Sequence, residues 1–204
     1  MTVVEDRPAS DEMLIARSAM PDARRAMIDS QLRVTGVNSP AILAAFGKIA
    51  REDFVPAERR AVAYADRAVP LGDGKALSPA LTYGQMLEAA EPARTDRVLV
   101  ISGNGYLAAL AAQLCDDVST AASLADAQGG PFSLILIDGA AEVLPDSLGA
   151  LLADDGRVVT GLVDRGVTRL ALARKALGHI VPTALGEADF AVLPEFAAPK
   201  SWSF

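Results

Sequence analysis

The chain contains one cysteine, Cys115, and one histidine, His179, among 204 residues. A lone cysteine excludes an internal disulfide. The lack of any CxxC, HExxH or clustered His/Cys pattern leaves nothing for a structural zinc site. Cys115 falls in an Ala/Leu helical pattern, where a buried free thiol is the common state. A Ser-His or Cys-His catalytic pair would have to use His179, which lies in a Gly-rich connection and reads as a surface or turn residue. Basic side chains are scarce as well: 19 Lys and Arg against 26 Asp and Glu leave a net charge of −7. That argues against nucleic acid and anionic membranes as partners, because phosphate attraction needs clustered Lys and Arg. It leaves neutral or basic peptides admissible. No segment reaches the roughly 18 apolar residues of a membrane span. The N-terminal "MTVVEDRPASDEM" lacks the basic and apolar regions of a signal peptide, so the expectation is a cytoplasmic protein.

What is present is apolar: 51% of residues, enough for one sizeable core. Residues 1–11 read as a disordered N-terminus. From Glu12 to Val34 the pattern is helical, with a break near Pro21 and Asp22 as a candidate N-cap. Ser39-Pro40 is the signature of a helix start, cap then first-turn proline, with Ala41–Ile49 supplying its apolar face. "REDFVP" reads as extended, Pro56 starts a short helix, and "AVPLGDGKALS" is a Pro/Gly-rich loop. A helix follows over Pro79–Ala90. The remainder alternates. Strands are expected at Val98–Ile101, Asp117–Ala121, Phe132–Ile137, Arg157–Leu162 and Val167–Ala173, with a last strand in "DFAVLPEF". Helices are expected at Tyr106–Leu114 and Leu144–Ala153. Trp202 and Phe204 would pack back on the domain. Such alternation implies an α/β fold, a mostly parallel sheet with helices on both faces.

Three features carry chemistry. In "RVLVISGNGYLAAL" an apolar strand breaks into Ser102-Gly103-Asn104-Gly105 and re-forms as a helix at Tyr106. In doubly wound folds such a turn lets a ligand approach the backbone and the N–H groups of the next helix. The same glycines also suit a plain strand-to-helix connection. Asp138, in "LILIDGAAE", stands at the carboxyl end of a central strand, where open α/β sheets bind ligands. It could equally cap the next helix or serve an Asp-Gly turn. Ser78 closes the Gly-rich loop, where it could meet a substrate or cap the helix begun at Pro79.

Taken together these stretches resemble the protein-L-isoaspartate O-methyltransferase family. The resemblance runs from about Ala23 to Lys175, through "QLRVTGV", "REDFVP" and a loop of Tyr64, Asp66, Pro70, Gly72, Gly74, Leu77 and Ser78. It continues through "VLVISGNGYLAALAAQL", "FSLILIDGAAEVLPDSLGALLADDGRVV" and "TRLALARK". It implies a three-layer Rossmann-like methyltransferase sheet with an N-terminal helical extension. It implies residues 12–92 as helical region and substrate loop, and 93–204 as the α/β domain. S-adenosylmethionine is the implied cofactor, and the partner is an isoaspartyl peptide or protein, with a homodimer also admissible. Methyl transfer to a carboxylate needs alignment and dryness more than acid–base work. By the same resemblance Ser78 would hold the substrate carboxylate. Ser102, Gly103, Asn104, Gly105, Tyr106 and Asp138 would hold the cofactor, with no metal.

The departures cluster on the cofactor side. Val100 stands where the family has an acid, Ser102 where it has a glycine, and one residue of the loop is missing. The next strand ends in Ala121-Ala122 where the family has a ribose-binding acid, and Asp126 is the nearest carboxylate. Between Ala122 and Phe132 there is too little chain for a helix, a strand and a further turn. One edge βα unit is therefore expected to be absent. Lost charge-assisted hydrogen bonds cost about 1.5–3 kcal/mol each, and each 1.4 kcal/mol is about tenfold in affinity. Two such losses, together with the adenine wall that the missing unit would supply, are expected to weaken the cofactor by thousands-fold. The alternative function is a non-catalytic homologue that binds a peptide or protein.

Overall fold

A computed structural model describes residues 20–176 and 179–198. The expectations for residues 1–11, for Met13 to Ala16 and for Trp202 and Phe204 fall outside that range. The first helix, α1 (residues 20–27), runs on through a π-helical stretch, Ile28–Leu32, and a 3-10 turn, Arg33–Thr35. Asp22 therefore lies inside helical turns rather than at a cap. Gly36, at φ +97°, ends the run in the left-handed region that only glycine adopts freely.

Helix α2 (Pro40–Lys48) starts as its sequence dictates, with the Ser39 side chain accepting from the Ile42 N–H. "REDFVP" is not extended: Arg51–Phe54 forms a 3-10 turn and Ala57–Val62 another. The Gly-rich loop is a small antiparallel hairpin, β1 (Val69–Gly72) and β2 (Lys75–Leu77), turned by Asp73 and Gly74 at positive φ. Helix α3 (Ala80–Ala90) follows, with Pro79 as its cap residue.

The main sheet has six strands. They are β3 (Arg97–Ile101), β4 (Asp117–Ala121), β5 (Phe132–Ala141), β6 (Leu152–Asp164), β7 (Val167–Ala176) and β8 (His179–Glu187), in the order β4-β3-β5-β6-β7-β8. The first four are parallel, and β7 and β8 add as antiparallel neighbours. Helix α4 (Tyr106–Leu114) joins β3 to β4. Only a 3-10 turn, Leu124–Asp126, separates β4 from β5, so the sheet ends at β4 where a further βα unit was expected to be missing.

Three other expectations fail. The helix expected over Leu144–Ala153 is reduced to one turn, α5 (Leu148–Leu151), because Leu152 already pairs with Phe132 as the start of β6. Pairing along the sheet overrides the local helical pattern. The connection assigned to His179 is in fact the start of β8, while "DFAVLPEF" contributes no strand, only an isolated bridge at Val192 and a 3-10 turn, Pro194–Phe196.

Apolar alternation divides the core between the two sheet faces. One face packs Val98, Val100, Leu134, Leu136 and Val159 against α1 to α4. This single cluster includes N-terminal residues such as Met27 and Phe46. The other face buries Leu99, Ile101, Ile135, Ile137 and Val158 under α5 and Phe196. Cys115 is buried and free, and burial, then the nearby Asp96 charge, pushes its thiol up to about 11. A thiol held protonated in this way is chemically inert. No helix among the described residues is long and apolar enough to cross a membrane, and no group of three potential metal ligands occurs among them.

Candidate active site

The chain reverses its sheet order at β3, with β4 on one side and β5 on the other. The crevice above the carboxyl ends of these strands is the place where such sheets take ligands. The register Ile101↔Ile137 sets the Ser102–Gly105 turn directly beside Asp138.

Asp138 is neither a helix cap nor a turn residue. It lies within β5, and one carboxylate oxygen, Oδ2, accepts from Ser102 Oγ at 2.8 Å, Asn104 Nδ2 at 2.8 Å and Tyr83 OH at 3.0 Å. Burial pushes its pKa up, against the lowering effect of these three donors. The Tyr83 phenol is buried, and burial together with the Asp138 charge drives its pKa well above the ordinary tyrosine value.

Asn104 spends its whole side chain on the loop. Besides Asp138 its amide reaches Tyr83 OH at 3.2 Å, and its Oδ1 accepts the Tyr106 N–H at 2.9 Å. Gly105, at φ +77°, makes the turn into α4. One of the free N–H groups that a helix start offers to a ligand is therefore already used. The Tyr106 side chain does not face the crevice. It is buried edge-on among Phe46, Phe54 and Tyr83, with the Arg51 guanidinium 5.2 Å from its ring centre. Burial pushes its hydroxyl up to about 12.

Ser78 joins the same network through its backbone. Its N–H donates to Tyr83 OH at 3.2 Å, and its carbonyl accepts from Arg51. It is not the cap of α3, since that position is Pro79 and no side-chain cap bond forms there. Arg51 is fully buried and also donates to the Ala63 carbonyl at 2.6 Å. It thus clamps the chain segments on either side of the hairpin.

Sequence reasoning named Ser78, Ser102, Asn104 and Asp138 but not the residues that join them, Tyr83 and Arg51. Tyr83 sits in an ordinary amphipathic helix, and Arg51 precedes acids that suggest a solvated turn. Nothing local marks either as buried. A second cluster ties α1 to this region: Arg24 reaches Tyr64 OH at 2.7 Å and Glu52 at 3.1 Å, and Tyr64 OH donates to Glu52.

Between the hairpin turn and the glycine turn lies a cavity of about 350 Å³, lined by Lys75, Gly103, Asn104, Ala122, Asp138 and the 191–194 segment. That is the low end of ligand-site volumes, which run from about 300 Å³. Lys75 lies over Gly103, close enough that a Cβ there would be 3.8 Å from its Nζ.

The family model described as protein-L-isoaspartate(D-aspartate) O-methyltransferase matches residues 23–129. The protein-L-isoaspartate O-methyltransferase of Methylorubrum populi is 32% identical, over 85% of this chain and 96% of its own length. That of Koribacter versatilis is 32% identical, over 83% of this chain and 90% of its own. Among solved structures, a putative protein-L-isoaspartate O-methyltransferase of Plasmodium falciparum in complex with S-adenosyl-L-homocysteine superposes with a TM-score of 0.70 at 16% identity, covering 84% of this chain and 98% of that one. The family model spans more than half of the chain, and relatives 32% identical cover most of it, so the chain belongs to the protein-L-isoaspartate(D-aspartate) O-methyltransferase family.

Proposed function

We propose that this chain acts on isoaspartyl carboxylates in damaged proteins, as a carboxyl methyltransferase using S-adenosylmethionine. One observation carries the reading: the loop ending at Ser78 and the glycine turn are joined through Tyr83 and Asp138 into one hydrogen-bonded unit. The acceptor side needs little chemistry of its own. A carboxylate is already a nucleophile, so the chain has to bind it, orient it and exclude water. Ser78 is the residue assigned to orient the acceptor carboxylate. Arg51 and Tyr83 hold the Ser78 backbone in place.

In this conformation the cofactor side is closed to S-adenosylmethionine, and it lacks one acidic ribose partner. No carboxylate stands at the end of β4 to accept from ribose hydroxyls, and Asp126 is bound to Ser123 Oγ at 2.6 Å. Asp138 Oδ2 already accepts from three donors. The crevice floor beside Gly139 is taken by Leu193.

The test begins with the acceptor, independently of the cofactor. A fluorescent peptide containing one isoaspartyl residue is titrated against the aspartyl peptide of the same sequence. The isoaspartyl form should bind at least tenfold more tightly. Ser78→Ala should erase that preference, since one hydrogen bond to a charged group is worth about 1.5–3 kcal/mol. Methyl ester should then form at millimolar S-adenosylmethionine on the isoaspartyl peptide alone. Equal binding of both peptides defeats the reading. Discrimination without ester formation would instead make the chain a peptide-binding module.

A further inference from the structure

The parallel strands β3 and β5 pair only up to Ile101↔Ile137. Beyond that point β3 has turned away into Ser102–Gly105, while β5 continues to Ala141. On its β6 side Ala140 pairs with Gly161. On the other side it pairs with Val192, in parallel. The segment after β8 thus occupies the position vacated by β3, between β3 and β5, in the crevice where the fold takes its cofactor.

The seat is built for it. Ala140 N–H donates to the Ala191 carbonyl at 2.8 Å, and Leu193 N–H returns to the Ala140 carbonyl at 2.9 Å. The Phe196 carbonyl accepts from Glu142 and Val143 at 3.0 and 3.1 Å. Glu195 Oε2 accepts the Leu124 N–H, just past the end of β4, at 3.0 Å. Two glycines admit the side chains. A Cβ on Gly139 would lie 2.4–2.7 Å from Leu193 carbons, and one on Gly161 would lie 2.7 Å from the Phe190 ring. Main-chain pairing supplies the hold, and side-chain pockets supply the register, as when an added strand docks on a sheet edge.

We infer that residues 191–195 are an internal occupant of the cofactor crevice, and that they must swing out before S-adenosylmethionine can enter. The inference rests on the methyl-transfer reading above. Phe190 and Phe196 are buried on opposite faces of the sheet and anchor the two ends. Val192 between them is 47% exposed. The middle of the segment can therefore leave while the anchors stay. A cofactor that binds only the open form has its affinity reduced by the fraction of chains that are open. The crevice and its occupant thus act as one switch, in which cofactor and segment compete for the same place.

The experiment is calorimetric titration of S-adenosylhomocysteine into the full chain, Leu193→Ala and Glu195→Gln, with hydrogen exchange followed at the Ala140 and Leu193 amides. Leu193→Ala should bind at least tenfold more tightly than the unaltered chain, and Glu195→Gln a few-fold more tightly. Glu195→Gln removes one exposed contact and leaves the core intact, so the test survives if Leu193→Ala folds poorly. In the unaltered chain, saturating ligand should speed exchange at both amides. Equal affinity in all three proteins with unchanged exchange overturns the inference but leaves cofactor binding, and the methyl-transfer reading, in place. No heat from any of them at millimolar ligand overturns both.

Discussion

Asp138 is the residue on which the site's geometry turns, and replacing it has an effect that can be worked out in size and in sign. Three donors converge on its Oδ2, from Ser102, Asn104 and Tyr83. Asp138→Ala strands all three. A buried donor left unsatisfied costs about 1–3 kcal/mol. Asn104 borders a cavity, and Ser102 is only half-buried, so both can turn toward water, whereas Tyr83 is fully buried. A total of about 3 kcal/mol is therefore expected. For a domain of this size 1 kcal/mol moves the melting temperature by about 2–4 °C, so Asp138→Ala should melt roughly 6–12 °C lower. Asp138→Asn keeps the shape and one acceptor oxygen and should lose less than half of that.

The pH dependence separates the charge from the shape. Because burial raises the carboxyl pKa in the folded chain, the folded state holds this proton more tightly than the unfolded one. The group's contribution to stability is therefore greatest below the unfolded value of about 3.9. It declines as pH rises from there through the folded pKa. Asp138→Asn has no proton to lose, so its stability relative to the unaltered chain should improve steadily across that window. The assay is thermal and urea unfolding at half-unit steps from pH 3.5 to 8. A melting temperature of Asp138→Ala within 2 °C of the unaltered chain would refute the account. So would parallel pH profiles for Asp138→Asn and the unaltered chain.

Asp96 titrates with the opposite sign. Burial raises its pKa, but Arg157 at 2.7 Å and Ser133 at 2.6 Å outweigh that and hold it at about 2. Its contribution, on the order of 2 kcal/mol, should be present above pH 4 and lost as pH falls toward 2. Asp96→Asn should remove that acid-induced loss in a urea titration series. Arg51→Met deprives the Ser78 and Ala63 carbonyls of their donor and should cost about 3 kcal/mol in urea unfolding. Arg51→Lys, with a single compact donor head, should recover only part of it.

Several elements were legible without coordinates because their signals are local. Ser39-Pro40 encodes a cap and a first turn, and the helix starts there. Tyr106–Leu114 and Asp117–Ala121 carry enough apolar periodicity to fix their ends. The shortage of chain between Ala122 and Phe132 foretold a sheet that ends at β4. Ser78, Ser102, Asn104 and Asp138, candidates from the order of their motifs along the chain, meet in one hydrogen-bonded group.

Other features depend on partners far away in sequence. "DFAVLPEF" has the apolar content of a strand, yet it crosses the top of the sheet, because β5 outruns β3 and leaves Ala140 with an unpaired edge. The helical pattern of Leu144–Ala153 yields to pairing with Phe132. Tyr83 and Arg51 become site residues only when α3 and the 3-10 turn are packed under the glycine turn. The sequence by itself determined the family, through the order of its motifs, and the succession of strands from β3 to β7, through their apolar periodicity. Only the tertiary structure decided that Asp138 ties the glycine turn shut and that Leu193 stands on Gly139, because hydrogen-bond partners and filled volume are properties of space, not of spacing along the chain.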